Sequence, residues 1–378
     1  MKKFVASMTA LCASALSFAQ VPETATPLQE SVKVYGVADL AVVHYRTPNE
    51  TKNALHTGGS GSRVGFLAGQ DVGQGWRVNA RLEAGVNLDT GTSSSTNGNA
   101  GRVFSRQAYV ELENKALGAV RMGRLQGPTY GFFGTFDPML LPPMDSWGVL
   151  TTLGSPLPGS ATGTGVSSGF MINPTFRTEN TIAYISPRRG GVQAQVAYSL
   201  DEATKVQPSL LEASVDYATG PFMVSALFVR AGSTSGAGTV KATKSVSEMA
   251  LGAKYTKGPI QPYLTYIRRS LTDPTLGKNG AALNENAETV KLVGAVIPVS
   301  EKGNVRMTYG RYSSGSPDRD AISYGLGYTY EVTPALMLMT AYTRLTQSSA
   351  ASWLVFQSPK PTPGGTVDGI AAGLTYRF

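Results

Sequence analysis

Apolar and polar residues alternate strictly along several stretches of this chain, with the period of two that is typical of β-strands. In residues 76–88, seven apolar positions from Trp76 to Leu88 alternate with six that are polar or Gly. Residues 192–198, 322–330 and 370–378 repeat the pattern. These stretches predict amphipathic strands.

The polar faces of these strands are too charged and too rich in Gly to form the core of a soluble sandwich. In residues 76–88 the polar face carries Arg77, Arg81 and Glu83. A transmembrane barrel inverts the usual arrangement, because its apolar side chains face lipid and its polar side chains face a wet lumen. The pattern favours this inverted arrangement over a large secreted all-β protein.

The spacers between predicted strands alternate between short and long, as in outer-membrane barrels with short periplasmic turns and long external loops. The short spacers are residues 72–75, 114–117, 187–190, 219–220, 257–259, 298–302 and 332–334. The long ones are residues 46–61, 89–103, 126–178, 201–209, 231–244, 270–286, 313–319 and 347–366. We therefore predict an all-β fold: a transmembrane antiparallel up-and-down β-barrel of about 16 strands. An open sheet edge would leave backbone groups unpaired in hydrocarbon, so residues 31–45 should pair with residues 369–378.

The first 19 residues read as a secretory signal, since Lys2 and Lys3 precede an apolar run that ends in small residues at Ala19. We predict a signal peptide over 1–19 and a barrel over 20–378. Cleavage would remove Cys12, the only cysteine.

The formal charge is +8, but the basic residues are scattered singly, which argues against nucleic-acid binding. Tyrosines near strand ends would suit interfacial girdles; they are Tyr45, Tyr198, Tyr330 and Tyr376.

The order and spacing of several short segments resemble the general porins of Gram-negative bacteria, most closely the trimeric outer-membrane porins of β-proteobacteria. These segments are residues 34–39 (VYGVAD), 61–65 (GSRVG), 106–112 (RQAYVEL), 118–124 (GAVRMGR), 179–187 (ENTIAYISP) and 375–378 (TYRF). The resemblance implies a homotrimer of 16-stranded barrels in the outer membrane, each with its third loop folded into the lumen. It also implies that Phe378 is read by the outer-membrane assembly machinery.

The same resemblance implies a ladder of arginines on the wall opposite the third loop, at Arg63, Arg106 and Arg177. The family's acidic third-loop motif is absent, and Asp137 and Asp145 stand in that region instead. We take these two as the expected acidic side of the constriction.

The alternation of inward and outward side chains along each strand adds Arg77, Arg81 and Arg121 to the predicted pore lining. The same alternation, here called the strand phase, places Arg63 inside, because Val64 and Phe66 would face lipid. It does not support Arg106, which would share a face with apolar residues of its strand, so Arg106 is assigned to the lumen by resemblance. Permanently charged guanidinium groups along a pore favour anions. The expected function is passive diffusion of small hydrophilic solutes and ions, with a preference for anions.

Enzyme chemistry finds little support in the sequence. The chain has only two histidines, His44 and His56, and neither has a Cys or paired carboxylates at metal-ligand spacing. Residues 165–169 match the nucleophile-elbow string without its strand–turn–helix context. We expect no metal, no cofactor and no enzymatic activity.

Three other functions stay open at this point. Aromatic residues of the third loop would allow a substrate-specific channel, for instance for phosphate or organic acids; they are Tyr130, Phe132, Phe133, Phe136 and Trp147. An adhesive barrel is a second alternative. A hydrolase that pairs His44 with a serine on the rim is a third. The solute, the pore radius, the strength of selectivity, the gating and any loop partners are not readable from the sequence.

Overall fold

The computed structural model describes residues 30–57, 61–93, 102–139, 177–200, 209–232, 245–272, 288–314, 317–355 and 358–378. The expected signal peptide, Asp145, Trp147 and the 165–169 string lie outside these residues. Among the described helices, none is long and apolar enough to cross a membrane.

The described strands form one antiparallel sheet that closes on itself through pairing of its first and last strands. The strands are β1 (Glu30–Arg46), β2 (Thr51–Thr57), β3 (Arg63–Gly73), β4 (Trp76–Gly85), β5 (Gln107–Asn114), β6 (Gly118–Gln126), β7 (Arg177–Ile185), β8 (Val192–Ser199), β9 (Leu210–Thr219), β10 (Phe222–Gly232), β11 (Ser245–Tyr255), β12 (Gln261–Thr272), β13 (Glu288–Pro298), β14 (Gly303–Ser313), β15 (Ala321–Glu331), β16 (Leu336–Gln347) and β17 (Val367–Arg377). One helix, α1 (Pro128–Phe136), follows β6. The predicted fold class and the pairing of the two terminal strands are confirmed.

Sixteen positions in the barrel wall are made from seventeen strand segments, because β2 and β3 occupy one position. The long-loop half of β1 pairs with β2 from Leu40 to Arg46, and the other half pairs with β3 from Glu30 to Val37. The prediction of a long loop over 46–61 is therefore wrong, since residues 51–57 continue the wall. All seven predicted short turns join consecutive strands. The predicted strand over 76–88 ends earlier, at Gly85.

Apolar side chains alternate outward along the strands, as the sequence pattern predicts. On β15, Tyr324, Leu326 and Tyr328 are exposed, whereas Ser323 and Thr329 are buried on the lumen side. Exposed tyrosines at strand ends include the predicted Tyr198, Tyr330 and Tyr376. The prediction that Tyr45 belongs to an outer girdle is wrong, because Tyr45 faces inward and is fully buried.

The third loop enters the lumen through α1, which packs against one side of the barrel. Pro128 occupies the first helical turn, where its missing N–H costs no hydrogen bond. Phe132, Phe133 and Phe136 of α1 are buried in a cluster with lumen-facing residues of the strands. The helix therefore lines part of the lumen instead of extending into solvent.

Candidate functional site

The wall that holds the third loop, here called the docking wall, consists of the lumen faces of β9 to β15. The Glu212 carboxylate of β9 accepts hydrogen bonds from the backbone N–H and the hydroxyl of Thr129, at the N-terminus of α1. Lys254 Nζ of β11 donates to the Thr135 carbonyl at 2.9 Å. Arg306 Nη1 of β14 donates to the Pro138 carbonyl at 2.5 Å. Three charged side chains of this wall thus hold the loop.

Glycines on alternate strands make room for the loop against the docking wall. A Cβ built on Gly252 of β11 would lie 2.6 Å from Phe136 Cδ2. One on Gly294 of β13 would lie 2.5 Å from Pro138 Cγ, and one on Gly327 of β15 would lie 3.0 Å from Met139 Cε. Because each of these contacts is closer than an ordinary Cβ contact, the loop can lie this close only where the wall has no side chain.

A second wall, here called the basic wall, carries arginines on β3 to β7 and on the segment that precedes β5. Arg106 Nε donates to Glu83 Oε1 at 2.7 Å, and Arg63 Nε lies 3.6 Å from Glu83 Oε2. The Tyr35 hydroxyl donates to the same Oε2 at 2.6 Å. Tyr35 reaches Glu83 by crossing Gly65, where a Cβ would lie 2.4 Å from the tyrosine ring.

Arg106 faces the lumen although the phase of β5 would point it toward lipid. The strand begins only at Gln107, so Arg106 lies in the bend before it and is free of the alternation. Within β5 the expected phase holds, with Val110 exposed and Tyr109 buried. The structure therefore places Arg106 next to Arg63 through their shared partner Glu83.

Arg177 connects the basic wall to the third loop. Its guanidinium carbon lies 6.0 Å from the centre of the Tyr130 ring of α1. Arg106 is an electrostatic neighbour of both Arg177 and Arg63. The three arginines expected on one wall are thus brought together, across the lumen from the docking wall.

Arg124 and Arg102 enlarge this group and were not identified from the sequence. The alternation along β6 would point Arg124 to lipid, but the register with β7 shifts between Gly123 and Leu125. This bulge, at a glycine with φ of +132°, turns Arg124 inward, where Nε donates to the Ser105 carbonyl at 2.8 Å. Gly123, the residue before Arg124, is the feature of the sequence that permits this bulge. The Glu179 carboxylate pairs with Arg102 at 2.8 Å and with Arg124 at 3.8 Å.

The remaining arginines predicted to line the pore lie on inward faces of β4 and β6. Arg77 pairs with Asp71 at 2.9 Å near the short-turn end. The Arg81 guanidinium lies 5.5 Å from the Tyr35 ring, and Arg121 pairs with Glu111 at 2.5 Å. These side chains lie between the main arginine group and the short turns, and carboxylates pair with two of them.

Of the two residues expected on the acidic side of the constriction, the structure describes only Asp137. Asp137 is only 5% exposed, and its Oδ1 accepts the backbone N–H of Met139 at 2.8 Å. Asp137 therefore shapes the end of α1 and presents little carboxylate surface to the lumen.

Phe378, the expected assembly signal, lies against β1. It exchanges backbone hydrogen bonds with Gly36, and its ring stacks on Tyr376 with the ring centres 5.9 Å apart. The Phe378 side chain is 62% exposed on the outer surface.

Chemically, this arrangement presents fixed positive charge on one side of a narrowed lumen. Five guanidinium groups belong to the main group, at Arg63, Arg102, Arg106, Arg124 and Arg177. Two carboxylates, Glu83 and Glu179, compensate part of that charge. The described residues contain no cluster of three or more His, Cys, Asp or Glu that could hold a metal ion.

Comparison with known proteins agrees with this architecture. A family model described as Gram-negative porin matches residues 5–350 of the chain. The chain is 26% identical to outer membrane porin protein 32 of Delftia acidovorans, over the whole length of both proteins. It is 24% identical to an outer membrane porin protein of Bordetella pertussis, covering 94% of this chain and 96% of the relative.

Solved structures show the same fold. An anion-selective porin from Comamonas acidovorans superposes with a TM-score of 0.74 at 22% identity, covering 93% of this chain and all of that chain. The trimeric form of the outer membrane protein OmpT of Vibrio cholerae gives a TM-score of 0.60 at 16% identity, with 92% and 99% of the two chains covered.

Proposed function

Because this chain belongs to the Gram-negative porin family, we propose that it forms a water-filled channel in the outer membrane for passive diffusion of small hydrophilic solutes and ions, with a preference for anions. The observation that carries the proposal is the excess of guanidinium groups over carboxylates on the basic wall. The channel class also agrees with the two porin relatives, and the ion preference agrees with the relative described as an anion-selective porin.

The physical basis is the field of fixed charges inside a low-dielectric wall. A charged cleft with such walls raises the local concentration of ions of the opposite sign. Guanidinium groups stay protonated at any working pH, so the positive charges of this wall persist over that range. Glu83 and Glu179 each contact two arginines, which leaves a net positive surface at the constriction.

The part of the opposite wall that binds the third loop adds little to oppose this field. Glu212, Lys254 and Arg306 bind the third loop, and Asp137 is buried at the end of α1. Among the described residues of the third loop, no exposed carboxylate therefore opposes the basic wall.

A general channel accounts for the three described phenylalanines of the third loop better than a substrate-specific one does. Phe132, Phe133 and Phe136 are at most 7% exposed and pack against the wall. Rings that pin the loop in this way leave little aromatic surface for a solute to slide along. We expect no catalytic activity from the barrel.

We also propose that the barrel assembles as a homotrimer, as the family resemblance implies. A relative solved in a trimeric form supports this assembly. Openings in steps of three identical conductance levels from one inserted particle would be its functional signature, and a single level would oppose it.

The reversal potential of the wild-type channel in a planar bilayer tests the ion preference. Under a gradient of potassium chloride, the potential should have the sign of chloride permeation. The double variant Arg124→Gln/Arg177→Gln should move it toward zero. The matched control Arg188→Gln/Arg189→Gln removes the same charge from the exposed short turn between β7 and β8 and should leave it unchanged. A cation-selective wild type would contradict the proposal.

A further inference from the structure

Tyr35 of β1 forms one inward-facing row with Gly65 of β3 and Glu83 of β4. Tyr35 is paired with Gly65, and Gly65 is paired with Glu83 on its other side. Neighbouring strands lie about 4.8 Å apart, so the tyrosine side chain spans two strand spacings to reach the glutamate. It can do so only because Gly65 has no side chain in its path.

Two contacts fix the position of the Tyr35 side chain. Its hydroxyl donates a hydrogen bond to Glu83 Oε2 at 2.6 Å. From the short-turn side, the guanidinium carbon of Arg81 lies 5.5 Å from the centre of the tyrosine ring, a distance at which a cation is attracted to the ring. The hydroxyl is therefore held against one particular oxygen of the glutamate.

Tyr35 and Arg63 compete for that same oxygen. Oε2 of Glu83 accepts the short bond from Tyr35, whereas Arg63 Nε lies 3.6 Å from Oε2, beyond hydrogen-bond distance. The other oxygen, Oε1, accepts from Arg106 Nε at 2.7 Å. Each oxygen of Glu83 thus has a closer donor than Arg63, and Arg63 Nη1 donates to the Gly61 carbonyl at 2.9 Å.

The docking wall contains the same three residue types in a different arrangement. Arg269 Nη2 of β12 donates to Glu288 Oε2, and the Tyr312 hydroxyl approaches the other oxygen, Oε1, at 3.3 Å. Here the tyrosine does not occupy the oxygen that the arginine uses, the ion pair is closed, and the Arg269 side chain is only 2% exposed. The Arg63 side chain is 21% exposed. An open ion pair thus accompanies an arginine that stays accessible from the lumen.

From this geometry we infer that Tyr35 is a positioning residue for the ion preference, because its hydroxyl occupies Glu83 Oε2 and keeps the Arg63 guanidinium apart from the carboxylate. The inference rests on the proposed anion-preferring channel. Without the hydroxyl, a buried carboxylate oxygen would lose its donor, which is costly unless another donor replaces it. Arg63 Nε would then close from 3.6 Å to the roughly 2.8 Å of a charge-assisted hydrogen bond. Its charge would lie nearer the wall and farther from a passing anion.

The reversal potential of Tyr35→Phe in a planar bilayer, under a potassium chloride gradient, tests the inference. This change keeps the ring over Gly65 and removes only the hydroxyl. The chloride-to-potassium permeability ratio should fall roughly twofold, because the attraction between two charges weakens as their distance grows. The matched control Tyr312→Phe removes the corresponding hydroxyl from the docking wall and should leave the ratio unchanged.

The same change in an Arg63→Gln background separates positioning from a merely structural role. If Tyr35 acts by keeping Arg63 apart from Glu83, adding Tyr35→Phe should leave the permeability ratio of the Arg63→Gln channel unaltered. A general distortion of the wall would instead shift the ratio in both backgrounds.

Gly65→Ala is a second variant that reaches the hydroxyl by another route. Its Cβ would lie 2.4 Å from Tyr35 Cζ, so the ring must move and the hydroxyl must leave Glu83 although it is still present. Gly65→Ala should reproduce the roughly twofold fall, again only where Arg63 is present. If Tyr35→Phe does not assemble, Gly65→Ala decides alone.

An unchanged or higher permeability ratio in Tyr35→Phe would overturn the inference. An equal fall with and without Arg63, or an equal fall in Tyr312→Phe, would overturn it as well. Failure of the channel proposal is distinguishable, because a cation-selective wild type would contradict that proposal before any variant is measured. The positioning role depends only on the difference between the two backgrounds.

Discussion

The basic wall and the docking wall face each other across one lumen, but different forces organise them. On the basic wall, Glu83 and Glu179 hold arginines at defined positions by ion pairs. On the docking wall, the glycines at Gly252, Gly294 and Gly327 provide the shape into which the third loop fits. One wall depends on charge and the other on the absence of side chains.

This difference separates two properties of the channel. The docking wall holds residues 128–139 of the loop against the barrel, and we propose that this contact helps to set the size of the opening. The basic wall fixes the sign of the charge that a solute meets there. Substitutions on the two walls should therefore alter conductance and selectivity independently.

The largest effect is expected from breaking the closest ion pair of the basic wall. Arg106→Gln leaves the buried Glu83 carboxylate without its 2.7 Å partner, and removing one member of such a pair costs about 3 kcal/mol or more. Arg63→Gln, which removes the more distant 3.6 Å contact with Glu83 and the hydrogen bond to the Gly61 carbonyl, should cost less. Urea unfolding in lipid vesicles measures both, and equal losses would show that Glu83 does not organise this wall.

A smaller effect is expected from overpacking the docking wall. Gly252→Val places a side chain where Phe136 now lies, so the loop must move toward the basic wall and the conductance should fall, with a stability loss of about 1–3 kcal/mol. Adding Phe136→Ala restores space and should recover most of the conductance. Selectivity should stay that of the wild type in both variants. An unchanged conductance in Gly252→Val would contradict the assignment of Gly252 as a docking position.

The smallest effect is expected from Glu179→Gln. This change removes one of the two carboxylates of the main arginine group while all five arginines remain, so anion preference should rise slightly. The reversal potential should shift toward that of chloride. Glu113→Gln, at the short-turn end of β5, is the control, and a shift of the same size in both variants would argue against a localised effect.

Most of the fold was predictable because the alternation of side chains is a local property of the sequence. A prediction from this alternation fails where the backbone departs from regular strand pairing. Residues 51–57 lack a clear alternation, and β2 was missed for that reason. Tyr45 obeys the phase of β1, which turns it inward despite its position near a strand end.

The candidate site was predictable in part. Arg63 follows from strand phase, whereas Arg106 follows from resemblance because it lies outside regular β5. Arg124 depends on a bulge whose register is set by pairing with β7. The fit of Gly252 to Phe136 joins residues more than a hundred positions apart, so no local pattern reveals it.

The central claim, that arginines at the constriction set the ion preference, is tested most directly by charge reversal at Arg63. The measurement is the reversal potential of Arg63→Glu in a planar bilayer under a potassium chloride gradient, beside Arg77→Glu, which makes the same change near the short-turn end of the lumen. We predict a large shift toward the potassium potential for Arg63→Glu and a small one for Arg77→Glu. Equal shifts, or no shift for Arg63→Glu, would contradict the account.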